Sequence, residues 1–480
     1  MDSLFDEARQ LLWPRHPPSL SDRVIRAGLT GTELELAEGR PAAPSAANRI
    51  PGGLIHDVLA GKHGTLHHRG LRLKGLYIDG SIDLSFLHWH GALALEACTI
   101  SGDLVLDHCR PTTVITLDGS HARWISARNA AIDGTIFLRD GFRSDRGFYG
   151  LGMSVSGSLC MQNSIFHGPE DNVAQLAINL FRAHIGDLHL YGSRVYGGLY
   201  ATGIKVDRNV RLQGGIFLSR REMGWEHKSA EYKGSVSLAF SEIEGSVYIW
   251  TTYFRRFYAG GGFTLRGASC GRLFIRKEIF DRYQFNVDGF EYSSLRSITT
   301  KEWLETIGQS NEFAPQAHSH LIQYCAKVGD LSTRRKTLLQ LERNLTSQQS
   351  IWSPRRYTRW LHGALIGYGY NAWLAIVWLA CVTAAAAWIL HHGAVFAPKS
   401  AVGQPADPAE ALSWSDSFRI VIDSFLPFAP LGMKDPWVAA PSDGGQWAWM
   451  AGFLALRFIA WGLAALALLS FTDVVRNPRA

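Results

Sequence analysis

Apolar and polar residues alternate in short runs between Gly80 and Leu106, and each run begins with a glycine. The first apolar residues of three successive runs, Ile82, Leu93 and Leu104, lie 11 positions apart. Alternation with a period of two is typical of a β-strand that buries one face. Glycine supplies the backbone freedom that a tight corner needs. A fixed period repeated along a chain predicts a solenoid.

The same template returns at intervals as far as about Val287. One unit of 11 residues spans roughly 35 Å when extended, which is too short to enclose a core, whereas two units, about 22 residues, are enough. We therefore predict a mainly β fold, a parallel β-helix over residues 66–290 with about 22 residues per coil. An antiparallel meander is the alternative, because short strands at this spacing also form sandwiches. The constant phase and the scarcity of Asn-Gly and Asp-Gly pairs favour the β-helix.

Polar breaks in the pattern near residues 140–150, 167–175 and 219–233 predict loops that protrude from the corners. Residues 1–47 are interpreted as an N-terminal segment and linker, with no signal peptide expected before the solenoid. Residues 48–65 are predicted to form a helix that caps the first coil. From residue 300 the period becomes helical, and residues 300–350 predict a helical hairpin with a break at Gly329-Asp330.

Residues 351–480 are predicted to form a membrane domain. Residues 372–390 contain no charge and are bracketed by Trp373 and Trp388, and residues 447–471 form a second apolar stretch, so both are predicted transmembrane helices. Between them lies an outer loop, residues 392–445, whose segment 418–432 is apolar but short and suits a re-entrant structure. Arginines flank the pair of spans on one side, at Arg355, Arg356, Arg359, Arg476 and Arg479. The positive-inside rule then predicts a multi-pass protein of the inner membrane, with the β-helix and the C-terminus in the cytoplasm.

The net charge and the cysteine content indicate which partners and which cellular compartment to expect. The formal net charge of +6 is modest for 480 residues and the positive residues are spread out, so nucleic acid is not an expected partner. The six cysteines form no CxxC pair, which indicates free thiols in a reducing compartment.

The chain resembles a family of bacterial membrane proteins with a pentapeptide-like β-helix, often labelled membrane-associated oxidoreductases. The residues that carry the resemblance are the first coil at 71–85, the hairpin from Phe313 to Asp330, the Gly367-Tyr-Gly-Tyr370 motif, the loop segment 422–432 and the tail at Arg476. Where the family usually has an aromatic residue in the hairpin, this chain has Ala317-His318. The resemblance implies an integral membrane protein with a cytoplasmic β-helix and transfers no catalytic residue.

No motif for catalysis or cofactor binding accompanies this label. The sequence contains no GxGxxG dinucleotide fingerprint, no CxxC or CxxCH and no GxSxG, so we predict no catalytic residues and no cofactor. Histidines at 67, 68, 88, 90, 108 and 121 could suggest a metal, but no acidic or thiol partner recurs at a fixed offset, and we predict no metal site. Cys98 and Cys109 share one position of the template and are interpreted as core thiols on opposite sides of a coil.

Arg457 is the sharpest single candidate, because a charge inside a predicted span costs about 2.5–3.5 kcal/mol on insertion scales. Asp423 and Asp416 in the apolar loop segment are its candidate partners, and outward snorkelling is the alternative. We expect Arg457 to have a packed or pore-lining role.

Three functions remain open at this stage. The leading one is a membrane-anchored scaffold, sensor or binding protein whose β-helix face, above all the loops at 140–150 and 219–233, takes a protein or polymer partner. The second is a homo-oligomeric ion channel or permeability effector gated by the β-helix. The third is the oxidoreductase of the family label.

Overall fold

The computed structural model describes residues 18–169, 176–218, 236–250, 258–259, 262–279, 285–310, 313–350, 352–393, 396–398, 412–425, 437–439 and 444–471. The chain divides into two compact units, Met1–Arg334 and Arg335–Ala480. The first unit is dominated by strands and the second by helices.

Each apolar–polar–apolar run of the first unit forms a short strand. Its apolar residues face inward, as in the alternating burial of Thr99–Val105. The strands as far as residue 160 are β1 Glu33–Glu35, β2 Arg49–Pro51, β3 Leu71–Lys74, β4 Tyr77–Asp79, β5 Ile82–Asp83, β6 His88–Trp89, β7 Leu93–Glu96, β8 Thr99–Val105, β9 Arg110–Pro111, β10 Ile115–Thr116, β11 His121–Ser126, β12 Ala131–Ile132, β13 Ile136–Phe137, β14 Arg143–Ser144, β15 Phe148–Tyr149 and β16 Ser154–Cys160. Those that follow are β17 Ile165–His167, β18 Ile178–Asn179, β19 His184–His189, β20 Arg194–Tyr196, β21 Leu199–Tyr200, β22 Lys205–Val206, β23 Val210–Arg211, β24 Ile216–Leu218, β25 Val236–Ser237, β26 Glu242–Ile249, β27 Tyr258–Ala259, β28 Phe263–Thr264, β29 Ser269–Ile275, β30 Phe285–Asn286 and β31 Glu291–Arg296.

Two of these strands, β6 and β9, pair with each other in a separate two-stranded sheet, and the others make two large sheets. The described pairings in all three sheets are parallel, so the antiparallel alternative is wrong. Within the described residues one large sheet contains 13 strands and the other 16. Leu71 pairs with Leu93 and Leu93 pairs with Ile115, so each partner lies two template units further along the chain. Between such partners the chain visits the second sheet, where Ile82 pairs with Leu104. We call each stretch between paired residues a pass.

The passes repeat because the same position turns the chain each time. Phe86, His108, Asn129 and Gly152 occupy this position in four successive passes, and all four have a positive φ. The N–H of each donates to a carbonyl of the next pass, as Phe86 does to Asp107 at 3.0 Å. Glycine meets this left-handed requirement without strain, which explains the glycine-rich composition.

Passes lengthen where the sequence shows two of its three breaks. Leu159 pairs with Leu188, and Val210 pairs with Val247, so both passes are longer than the one from Leu71 to Leu93. Residues 170–175 and 219–235 within these passes lie outside the described residues. The break predicted at 140–150 is wrong, because β14 and β15 occupy it. Ser144 and Phe148 are fully buried there, so polar neighbours do not prevent the inward face from forming.

Helices and strands cover the N-terminal end of the sheets. Helix α1, Leu20–Thr30, begins with a capping box between Ser19 and Asp22. Strand β1 then pairs with β3, and β2 pairs with β4. Helix α2, Gly52–Leu59, is the helix predicted within 48–65, and its Ile55 is fully buried.

The helical segment predicted after residue 300 is present as α3 Thr300–Gly308, α4 Pro315–Val328 and α5 Leu331–Ser347. Trp303 is buried and packs edge-on against Tyr292 of the last strand, with ring centroids 5.9 Å apart. Gly329 ends α4 in the left-handed conformation, as its place in the sequence indicates. His318 is buried, and its ring Nδ1 lies 2.7 Å from the Ala314 carbonyl oxygen.

The second unit contains α6 Pro354–Ile366, α7 Ala372–Gly393, α8 Trp414–Phe425, α9 Gly444–Phe471 and a two-stranded antiparallel sheet of β32 Phe396–Pro398 and β33 Trp437–Ala439. Helices α7 and α9 contain stretches, Trp373–Gly393 and Gly445–Leu468, that are long and apolar enough to cross a membrane. Ala387, Val421 and Phe453 share one apolar cluster, so α7, α8 and α9 pack together. Residues 418–425, the first part of the predicted re-entrant segment, belong to helix α8. Residues 426–432 lie outside the described residues.

Candidate functional site

A shallow groove on the first unit is a candidate binding surface. It has a volume of about 420 Å³ and crosses three successive passes. Its lining residues are Phe86, His88, His108, Arg110, Asn129 and Ala131. His88 of β6 pairs in parallel with Arg110 of β9, which sets the two side chains beside each other.

Two of these side chains occupy backbone positions that glycine holds in other passes. Phe86 and His108 have φ values of 60° and 59°, and glycine stands at the corresponding Gly152. A left-handed conformation costs an L-residue roughly 1–2 kcal/mol. Phe86 is also 77% exposed, so its burial contributes little in return. The corner can be turned without an aromatic residue, so the aromatic rings at these two successive corners are available for binding.

The groove combines an aromatic face with cationic chemistry. The Phe86 ring stacks on the His108 imidazole with centroids 4.9 Å apart and planes 3° apart. Arg110 is exposed, and no acidic side chain is among the lining residues. A guanidinium beside stacked rings suits a carboxylate or an aromatic group of a partner. Trp89, which follows His88 in β6, is buried.

The six histidine candidates do not form a single cluster, although His88 and His108 both line the groove. His67 and His68 have ring centroids 4.0 Å apart, and His88 and His90 are a separate pair at 6.4 Å. The part of the chain that the structure describes contains no group of three or more His, Cys, Asp or Glu side chains arranged to hold a metal ion.

His121 belongs to an ion-pair network between passes. Its Nε2 lies 2.6 Å from Asp145, which also accepts from Arg143 at 3.0 Å. Burial opposes ionisation of Asp145, but these two partners outweigh it and lower the pKa of the carboxyl. Such pairs, repeated at Asp103–Arg123 and similar positions, connect one pass to the next.

The thiols of the sheets are poorly suited to redox chemistry. Cys98 and Cys109 are fully buried at two different corners of the passes, as core thiols should be. Burial raises the pKa of each to about 12, so the reactive thiolate is scarce at neutral pH. Cys381 on α7 is exposed.

The candidates in the second unit have different surroundings. Arg457 lies on α9 with its guanidinium 4.7 Å from the centroid of the Trp461 ring, and its buried Nε has no hydrogen-bond partner among the described residues. Asp416 lies 3.5 Å from Arg419 on the same helix. Asp423 is 1% exposed and has an interaction partner within the protein. The predicted pairing of Arg457 with Asp423 stays a prediction.

Sequence reasoning missed Phe86 and Arg110. The available signal was an aromatic residue at the corner position where the template accepts glycine or asparagine. Recognising it requires the phase of the repeat relative to the corner, which the strand pattern does not supply.

No protein-family model matches the chain, and no curated protein or solved structure matches it either.

Proposed function

We propose that this chain is a membrane-anchored binding protein whose first unit is a parallel β-helix, each coil consisting of two template units. The parallel register supports this, because Leu71, Leu93 and Ile115 pair successively while the chain alternates between two sheets. Stacked coils make long rigid surfaces, which other solenoids use to bind extended partners.

The groove at Phe86 is the single observation that carries the binding role. It presents an exposed ring, two imidazoles and a guanidinium at positions that the fold does not need them to occupy. A protein partner with aromatic or acidic side chains has the matching chemistry. The predicted contact at 140–150 is replaced by this groove, and the contact at 219–233 lies outside the described residues.

Helices α7 and α9 are the proposed anchors. Their length and hydropathy support two spans. The arginines at 355, 356 and 359 before α7 and those at 476 and 479 after α9 support a cytoplasmic first unit and C-terminus at the inner membrane, with the chain between α7 and α9, including α8, outside or re-entrant. Protease added to the outside of spheroplasts should leave residues 1–350 intact, and their digestion would reverse this topology.

Photo-crosslinking tests the groove in cells. A benzophenone amino acid at position 86 of the full chain should form a discrete adduct that weakens severalfold when Arg110 is replaced by Gln. Phe240, 60% exposed at an equivalent left-handed corner of another pass, is the matched control position. An adduct at 86 that is indifferent to Arg110→Gln, or equal adducts at 86 and 240, would rule out a specific groove.

A channel is the second candidate, and Arg457 is the observation that favours it. A guanidinium with an unbonded Nε inside an apolar helix is costly unless it packs against a partner or meets water. In a homo-oligomer, α9 of a neighbouring subunit would supply the packing partner, and a pore between the subunits would supply the water. Ion flux from liposomes that hold the full chain should then fall with Arg457→Ala, while absence of flux in every state removes this candidate. No cofactor-binding or catalytic site among the described residues supports the oxidoreductase hypothesis.

A further inference from the structure

Helix α6, Pro354–Ile366, exposes an apolar face that the described part of the second unit leaves uncovered. Tyr357, Trp360 and Leu361 are 59%, 64% and 50% exposed. They are spaced as i, i+3 and i+4, so they form one stripe along the helix. By the same helical spacing, Arg355 and Arg359 lie on the opposite face. An aromatic stripe opposite arginines is the pattern of a helix that lies in a membrane surface.

The helix is held beside the start of the apolar helix α7. Gly367 ends α6 in the left-handed conformation, and α7 begins shortly afterwards at Ala372. The indole Nε1 of Trp378, about 9 Å along α7 at 1.5 Å per residue, donates to the Ala364 carbonyl at 3.0 Å. This bond ties the last turn of α6 to the first turns of α7. A bilayer that α7 enters would have its surface at the level of α6.

We propose that α6 lies in the headgroup layer of an anionic bilayer, with its aromatic stripe in the acyl boundary and its arginines bound to lipid phosphates. The proposal rests on the membrane insertion of α7 in the proposed function. It adds a lipid-binding element to what two spans alone would provide. Tryptophan and tyrosine prefer this layer because each ring has an apolar body and a polar edge.

A cavity beside the stripe fits a phospholipid headgroup. It has a volume of about 360 Å³ and is lined by Leu339, Arg343, Trp360, Gly363, Ala364, Gly367, Tyr368, Asn371 and Leu374. Arg343 supplies a cation and Trp360 a wall shared with the stripe. Phosphate recognition by arginine is favoured by its fixed fork of donors.

Spin-label accessibility in nanodiscs tests the position of α6. The full chain with Cys381→Ser loses the one described cysteine that is exposed. Labels are then placed singly at Leu361, at His362 and, as a reference for the span, at Val377, which is 45% exposed on α7. In discs with phosphatidylglycerol, oxygen should relax the label at 361 several times more than a water-soluble nickel chelate does, and the label at 362 should show the reverse.

The reference label separates two failures. If the label at 377 is in lipid while those at 361 and 362 are equally aqueous, α6 is not interfacial and the spans stand. If the label at 377 is aqueous as well, the membrane insertion itself fails, and the proposed function with it.

Lipid selectivity tests the arginines. Arg355→Gln, Arg356→Gln and Arg359→Gln together should reduce the phosphatidylglycerol that copurifies with the full chain from a mixed bilayer, by about fivefold for each arginine in contact with the anionic surface. The matched control removes the same charge from exposed positions of the first unit, Arg266, Arg272 and Arg296. An equal loss of lipid in both triple variants reflects net charge alone and overturns the proposal.

Discussion

The buried hydroxyl of Ser120 offers a sharp test of how successive passes are held together. Its Oγ donates to the Leu95 carbonyl at 2.6 Å and accepts from the Cys98 N–H at 2.8 Å, and the side chain is fully buried. Ser120→Ala leaves both backbone groups without this partner. Each unsatisfied buried group costs about 1–3 kcal/mol, so the two together should lower the local stability by about 2–6 kcal/mol.

The loss should appear locally, since the bonds join two adjacent passes. Hydrogen exchange of the full chain in nanodiscs, followed on peptides that cover Leu93–Thr99, should accelerate by about 30-fold or more at about 1.36 kcal/mol per decade. A peptide from the distant strand β26 should be unchanged. Ser120→Cys is the matched control, because Cys98 holds the same position one pass earlier and its Sγ reaches the Leu73 carbonyl at 3.7 Å. Unchanged exchange in Ser120→Ala, or an equal effect of Ser120→Cys, would refute the reasoning.

Three further predictions concern a steric contact, a helix cap and the thiols. Gly245→Ala should destabilise the first unit by about 1–3 kcal/mol in thermal unfolding, because a Cβ there would clash with the Arg208 carbonyl oxygen, whereas Gly53→Ala meets nothing within 4 Å and should be neutral or stabilising. Asp330 caps α5, and its hydrogen bonds lower the pKa of the carboxyl. The cap stabilises α5 fully above the ordinary carboxyl pKa of 3.8, and this stabilisation is lost as the pH falls through the lowered pKa of Asp330. Asp330→Ala should therefore cost about 1 kcal/mol at neutral pH. In this variant the hydrogen exchange of α5 amides should no longer respond to protonation of the cap at acid pH. A maleimide should label the native chain at Cys381 in detergent within minutes, and equally fast labelling of the buried thiols would contradict the described core.

Much of the fold follows from local chemistry that the sequence shows directly. The constant phase of Ile82, Leu93 and Leu104 determines which side chains face inward, and two such units make the register seen between Leu71 and Leu93. The break at Gly329-Asp330 is equally readable, because a left-handed cap and an acidic N-cap need particular residues. The membrane-length helices need only composition and length.

The prediction at 140–150 was wrong because a polar stretch was interpreted as a loop. Residues 140–150 are polar on average, yet the inward positions at Ser144 and Phe148 preserve the strand. Average polarity misled there because the outward half of each strand is free to carry any polar residue.

By itself, the sequence determined the period, the inward face and the presence of two apolar helices, since each depends on neighbours within a few turns of the chain. Only the tertiary structure decided that Phe86, His108 and Arg110 share one groove, because residues one pass apart become adjacent only when the parallel register is known. It also decided that the stripe of α6 is left uncovered by the described residues, since helical spacing defines a face but not what packs against it.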